Sequence, residues 1–166
     1  MSARWPRLSF YVVILLVLVV DYLTKTWTAA SFRPGQTMVL IPGFFNFTYV
    51  QNTGVAFGMF KGQGLLVGLF VGLFVAAIAL AAFYFSREVN WAAWEPNLVG
   101  GCLVGGALGN LIDRVRLGYV VDFFDVHAGA YQWPVFNVAD SLICIAVGWI
   151  VFRQLGTKKV ERGSGD

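Results

Sequence analysis

A chain of 166 residues that is 58% hydrophobic and only 13% charged has too little polar surface to coat a water-soluble globule, which typically carries about 25% charged residues. The same figures exclude disorder, and a mean hydropathy of +0.69 points to a membrane. The net charge of +3 is spread along the chain without a dense basic cluster, so no nucleic acid partner is expected. Length gives a prior of about one domain, residues 1–166.

A helix crossing the ~30 Å hydrocarbon core needs about 20 mainly apolar residues, and four segments meet that demand. The first, about 8–30, is interrupted by Asp21 and Lys25. These stand where a signal peptide would carry small residues for cleavage, so an uncleaved helix is the simpler reading. The connection Ser31–Lys61 follows, with β-favouring runs at Thr37–Ile41 and Phe44–Val50 around Pro42-Gly43, which predicts a hairpin or small sheet. The second span, about 62–86, is uncharged, and the third covers about 95–114. The link Leu117–Trp133 contains Tyr119-Val120-Val121, another short extended piece, and the two outer connections are expected to join in one small platform. The fourth span, about 134–153, carries Asp140.

Gly64, Gly68 and Gly72 in span two and Gly101, Gly105 and Gly109 in span three recur every four residues. Such stripes allow close backbone approach in lipid, which predicts that spans two and three pack on each other. Seven of the 12 basic residues lie in the two termini and the turn between spans two and three. The positive-inside rule then places both termini in the cytoplasm. Trp5, Trp27, Trp91, Trp94 and Trp133 read as an interfacial belt.

Ionisable groups in a span are costly and are therefore functional candidates. With alternating helix directions, Asp21, Lys25, Asn52, Asn110, Asp113, Arg114, Asn137 and Asp140 all fall at the outer face. Asp122 lies there too, in a link 18 residues before Asp140. A one-sided polar pocket suits an enzyme better than a channel. Bland readings stand beside this one: Asp21 and Lys25 as a neutralised i,i+4 pair, Asp113 with Arg114 as an interfacial anchor, His127 as a headgroup-level polar residue. Two other classes compete, a transporter in which Asp140 and Asp21 carry cations and a structural membrane subunit.

Cys102 and Cys144 sit in apolar runs and His127 is the single histidine; no disulfide, no metal and no cofactor is expected. Ser141 has no Lys or His base nearby in sequence. Two carboxylates, Asp122 and Asp140, remain. Such a pair can share one proton, the ionised member activating water while the protonated member polarises a carbonyl.

Asn52-Thr53-Gly54-Val55-Ala56-Phe57, Gly105-Gly106-Ala107-Leu108-Gly109-Asn110-Leu111-Ile112-Asp113-Arg114, Val120-Val121-Asp122-Phe123 and Phe136-Asn137-Val138-Ala139-Asp140-Ser141 resemble, in order and spacing, the motifs of the bacterial lipoprotein signal peptidases (signal peptidase II). The resemblance implies an all-α membrane protein of four transmembrane helices with a small extracytoplasmic β-platform, acting as an aspartic endopeptidase of the bacterial inner membrane. It would remove the signal peptide from diacylated prolipoproteins ahead of the lipidated cysteine, with Asp122 and Asp140 as catalytic dyad and Asn52, Gly54, Asn110, Arg114 and Asn137 around it. Asp21 and Lys25 match a polar motif near the end of the first helix. The resemblance also implies a monomer, membrane lipid as surroundings and sensitivity to globomycin-type inhibitors. Tyr22, Thr24 and Val55 stand where the family usually has Gln, Ser and Ala.

Overall fold

The computed structural model describes residues 5–53, 93–129 and 131–163; Gly54 and the predicted second span, with its glycine stripe, lie outside them. Helix α1 (Trp5–Ser31) rises about 1.5 Å per residue, enough to cross a bilayer. Pro34 and Gly35 end it in a turn with Gly35 at φ 82°, and the chain continues into β1 (Thr37–Ile41). A second turn, with Gly43 at φ 73°, leads into β2 (Phe45–Asn52). Helix α2 (Trp94–Leu117) closes on left-handed Gly118, whose N–H donates to the Arg114 carbonyl at 3.0 Å. Strands β3 (Val120–Ala128) and β4 (Tyr131–Gln132) and helix α3 (Val138–Gly163) complete the order.

The two outer connections do join. One four-stranded antiparallel sheet runs β1-β2-β3-β4, with Phe47 opposite Phe124 and Val50 opposite Asp122 across β2 and β3 and an irregularity between Phe47 and Val50. The piece read as Tyr119-Val120-Val121 is the start of a nine-residue strand. Phe47, Tyr49, Val121 and Phe123 form the sheet's core, with the Phe47 and Phe123 rings stacked at 5.0 Å. Trp27 and Phe32, at the end of α1, pack on Phe47 at 5.4 and 5.0 Å, fixing the sheet to the helix end. Strand alternation turns Asp122 to the face opposite Val121 and Phe123.

Among the described residues, two helices, Leu8–Ser31 and Trp94–Leu117, are long and apolar enough to span a membrane. Two sequence expectations need correction. The fourth predicted span does not begin at Pro134: Phe136 pairs with Phe124 as an isolated bridge, its N–H donating to the Phe124 carbonyl at 3.0 Å, and the helix starts only at Val138. The glycine stripe of the third span lies against α1. A Cβ on Gly101 would stand 2.6 Å from Val13, one on Gly105 2.8 Å from Val17, and one on Gly109 2.6 Å from the Asp21 carboxylate. Four-residue spacing indicates a close neighbour but not which helix supplies it.

Candidate active site

The site is built on the start of α3. The first N–H groups of a helix lack intrahelical partners, and Asn137 and Asp140 satisfy two of them reciprocally. The Asp140 N–H donates to Asn137 Oδ1 at 3.0 Å, and the Asn137 N–H donates to Asp140 Oδ2 at 3.2 Å. This is a capping box with Asp in place of the usual Glu. A third N–H, that of Ala139, donates to Asp21 Oδ1 on α1 at 3.1 Å. Gly106 permits the approach: a Cβ there would stand 2.8 Å from the Ala139 carbonyl.

Strand β3 brings Asp122 to the same place, 1% exposed. Asn52, the last residue of β2, donates through Nδ2 to Asp122 Oδ2 at 2.9 Å. Asn137 donates through Nδ2 to Asp122 Oδ1 at 2.7 Å. Asn110 on α2 donates through Nδ2 to Asp140 Oδ1 at 2.7 Å. Every carboxylate oxygen of Asp122 and Asp140 thus accepts an amide N–H, and Asn137 serves both residues. Burial and then the neighbouring charge of Asp140 push the Asp122 pKa up to about 7, against the opposing pull of the Asn52 and Asn137 hydrogen bonds and the Lys25 charge. The Arg114 guanidinium lies within electrostatic reach of Asp122, Asp140 and Asp113 and donates to the Asn110 carbonyl at 3.3 Å.

Behind this layer lies a second. Lys25 Nζ contacts Asp21 Oδ2 at 2.7 Å, Asn110 Oδ1 at 2.9 Å and Asp113 Oδ2 at 3.1 Å. Asp113 also accepts the Val121 N–H at 3.3 Å. The layer ties α1, α2 and β3 together under the carboxylates.

The family described as signal peptidase (SPase) II matches residues 13–155 of the chain. The chain belongs to that family. Across its whole length it is 36% identical to the lipoprotein signal peptidase of Shewanella piezotolerans, covering 98% of that protein. It is 39% identical to that of Syntrophus aciditrophicus over 93% of this chain and 96% of the relative. Its fold is similar to a bacterial membrane enzyme solved by the in meso method at 2.3 Å, with TM-score 0.77, 31% identity, and coverage of 95% of this chain and 92% of that one. Family membership makes the chain an aspartic peptidase that processes lipoproteins in a membrane, and it sets the transporter and structural-subunit readings aside.

Of the site residues the resemblance implied, the structure brings Asp122, Asp140, Asn52, Asn110, Asn137 and Arg114 together, with Asp21 and Lys25 directly behind. Asp113 does not act as an anchor beside Arg114. It is 6% exposed and paired with Lys25, because adjacent helical residues point about 100° apart and do not face each other. A further cluster on the sheet was not visible in the sequence. Asp125 accepts from Thr48 Oγ1 at 2.7 Å and Gln132 Nε2 at 3.1 Å, and His127 Nε2 lies 2.8 Å from it and 3.1 Å from Asn46 Nδ2. His127 is therefore part of a built polar cluster. No group of three or more metal-ligating side chains occurs among the described residues.

Proposed function

We propose that the chain cleaves diacylglyceryl-modified prolipoproteins ahead of the lipidated cysteine, with Asp122 and Asp140 as its general acid/base pair. The observation that carries this reading is that amide donors on three separate elements, Asn52, Asn110 and Asn137, hold both carboxylates from all sides. With its pKa at about 7, Asp122 is the member that holds the shared proton. Asp140, at the N-terminus of α3, whose dipole favours negative charge, takes a proton from water. The water attacks the scissile carbonyl while Asp122 donates to the carbonyl oxygen, and proton return to the leaving nitrogen completes hydrolysis without a covalent intermediate. Arg114 balances the charge of the pair.

The same reading places four transmembrane helices in the bacterial inner membrane, both termini in the cytoplasm and the sheet with the site at the outer face. The enzyme acts as a monomer, and globomycin-type inhibitors occupy the site. An acyl-anchored substrate then reaches the carboxylates laterally from the lipid. Purified protein incubated with a diacylated lipobox peptide should cut before the modified cysteine. Failure to cut that peptide by folded protein, or cleavage elsewhere, overturns the reading.

A further inference from the structure

Lys25 is 3% exposed, and its three donors are all spent, on Asp21, Asn110 and Asp113. It has no donor left for substrate. An ammonium donates and cannot accept, so the end of the Asn110 amide that faces it must be the oxygen. The other end is then the nitrogen, and it points at Asp140 Oδ1 at 2.7 Å. The Asn137 amide is oriented in the same manner by a different donor-only group, the Asp140 backbone N–H on its Oδ1. Asn137 has its own capping box to hold it. Asn110 has Lys25, assisted by Asn137 Nδ2 at 3.1 Å.

We propose that Lys25 is a positioning residue that orients the Asn110 amide so that Asp140 always meets an N–H and never a carbonyl oxygen. The proposal rests on Asp140 being the water-activating carboxylate. A turned amide would set its oxygen against Asp140, where only a protonated carboxyl could hydrogen-bond to it, and the base would be lost. Asp21 and Asp113 have a supporting part: they keep the ammonium in place, and each also holds a backbone N–H, of Ala139 and of Val121. The charged groups around Asp140 are Asp122 on β3, Asp113 and Arg114 on α2, and Asp21 and Lys25 on α1.

The test is a mutant cycle in single-turnover cleavage of a diacylated lipobox peptide, with pH profiles. Lys25→Met should lower the cleavage rate roughly a hundredfold, the scale of a misplaced reacting group, with KM little changed and the acidic limb of the profile moved to higher pH. In an Asn110→Ala background the same substitution should cost less than about threefold and move the limb by less, since groups acting as a unit are non-additive. The through-space charge of Lys25 acts in both backgrounds, whereas the amide is present in only one. Equal cost in both backgrounds overturns the proposal. Should Lys25→Met not fold, Asp21→Asn with Lys25→Met keeps the net charge of the trio and is compared with Asp21→Asn alone in the same two backgrounds. Asp122→Asn in the same assay separates the two levels. A near-parental rate there overturns the dyad, whereas an inactive Asp122→Asn beside additive Lys25 costs overturns only the role of Lys25.

Discussion

Asp122 and Asp125 lie three residues apart on β3, 1% and 3% exposed, on opposite faces of one strand. Burial drives both carboxyls upward. At Asp122 the next influence is another carboxylate, Asp140, and the pKa reaches about 7. At Asp125 the hydrogen bonds from Thr48, Gln132 and His127 outweigh burial, and the carboxyl is held below its ordinary value. Similar exposure therefore goes with opposite chemistry: an acid set deep in the protein beside another acid keeps a proton to give, while a shallower acid beside an imidazole and a hydroxyl becomes a fixed charge that fastens strands together. The strand has a reactive end, against the helices, and a structural end.

One substitution made at both ends gives the largest contrast. Asp122→Asn keeps the shape and removes the exchangeable proton, so turnover should fall by at least the 10²- to 10⁴-fold that general acid/base catalysis supplies. Asp140→Asn should do the same, and the double variant should be little worse than either. Asp125→Asn should stay within a few-fold of the parent in turnover per folded molecule. Peptide cleavage rates check all three, and an active Asp122→Asn or an inactive, folded Asp125→Asn breaks the comparison.

Stability should show the reverse order. An amide at 125 replaces the charged acceptor of the Thr48 and Gln132 hydrogen bonds with a neutral one, and a hydrogen bond to a charged group is worth about 1.5–3 kcal/mol. Thermal unfolding in detergent should record a lower Tm for Asp125→Asn. An unchanged Tm would mean that this cluster is not what holds β2 and β4 to β3.

The reactive end also depends on close helix packing, which the structural end does not. Gly105→Leu must displace Val17, since its Cβ alone would come within 2.8 Å; overpacking of this kind costs about 1–3 kcal/mol and moves the helix that carries Asp21 and Lys25. Both Tm and cleavage rate should fall. Gly148→Leu, whose Cβ would meet nothing within 4 Å, is the matched control and should change neither. A Gly105→Leu variant with the parental Tm would show that α1 and α2 are not in this contact.

Much of the reactive end was legible in the sequence because each of its groups is a polar residue in an apolar setting. Asp122, Asp140 and the amides Asn52, Asn110 and Asn137 stand out against their neighbours, and Asn137 with Asp140 carries the spacing of a capping box, a signal that could have placed the start of α3 at Val138 instead of Pro134. The strands of the outer connections follow from β-branched and aromatic runs between glycine turns. The structural end was not legible. Thr48 and Asp125 meet across 77 positions, in a register shifted by the irregularity between Phe47 and Val50, and nothing local encodes that pairing. Asp113 shows the same limit: its sequence neighbour is Arg114, but its partner Lys25 comes from another helix.

The finest test concerns pH. Since Asp122 must be protonated to donate, kcat/KM should decline as pH rises through about 7. The Asn52 N–H on its Oδ2 favours the ionised form and so holds the pKa down. Asn52→Ala removes that pull, the carboxyl keeps its proton to higher pH, and the alkaline limb should move upward by up to roughly one unit, which corresponds to about 1.4 kcal/mol, the scale of one hydrogen bond to a charged group. Because the two carboxylates titrate as a pair, the limb is read as a property of both. Thr48→Val removes the equivalent donor from Asp125 on the other face and should leave the limb where it is, because no step uses a proton from Asp125. A downward move in Asn52→Ala would mean that Asn52 favours the protonated carboxyl, and an equal move in Thr48→Val would mean that the two ends of the strand are not chemically separate.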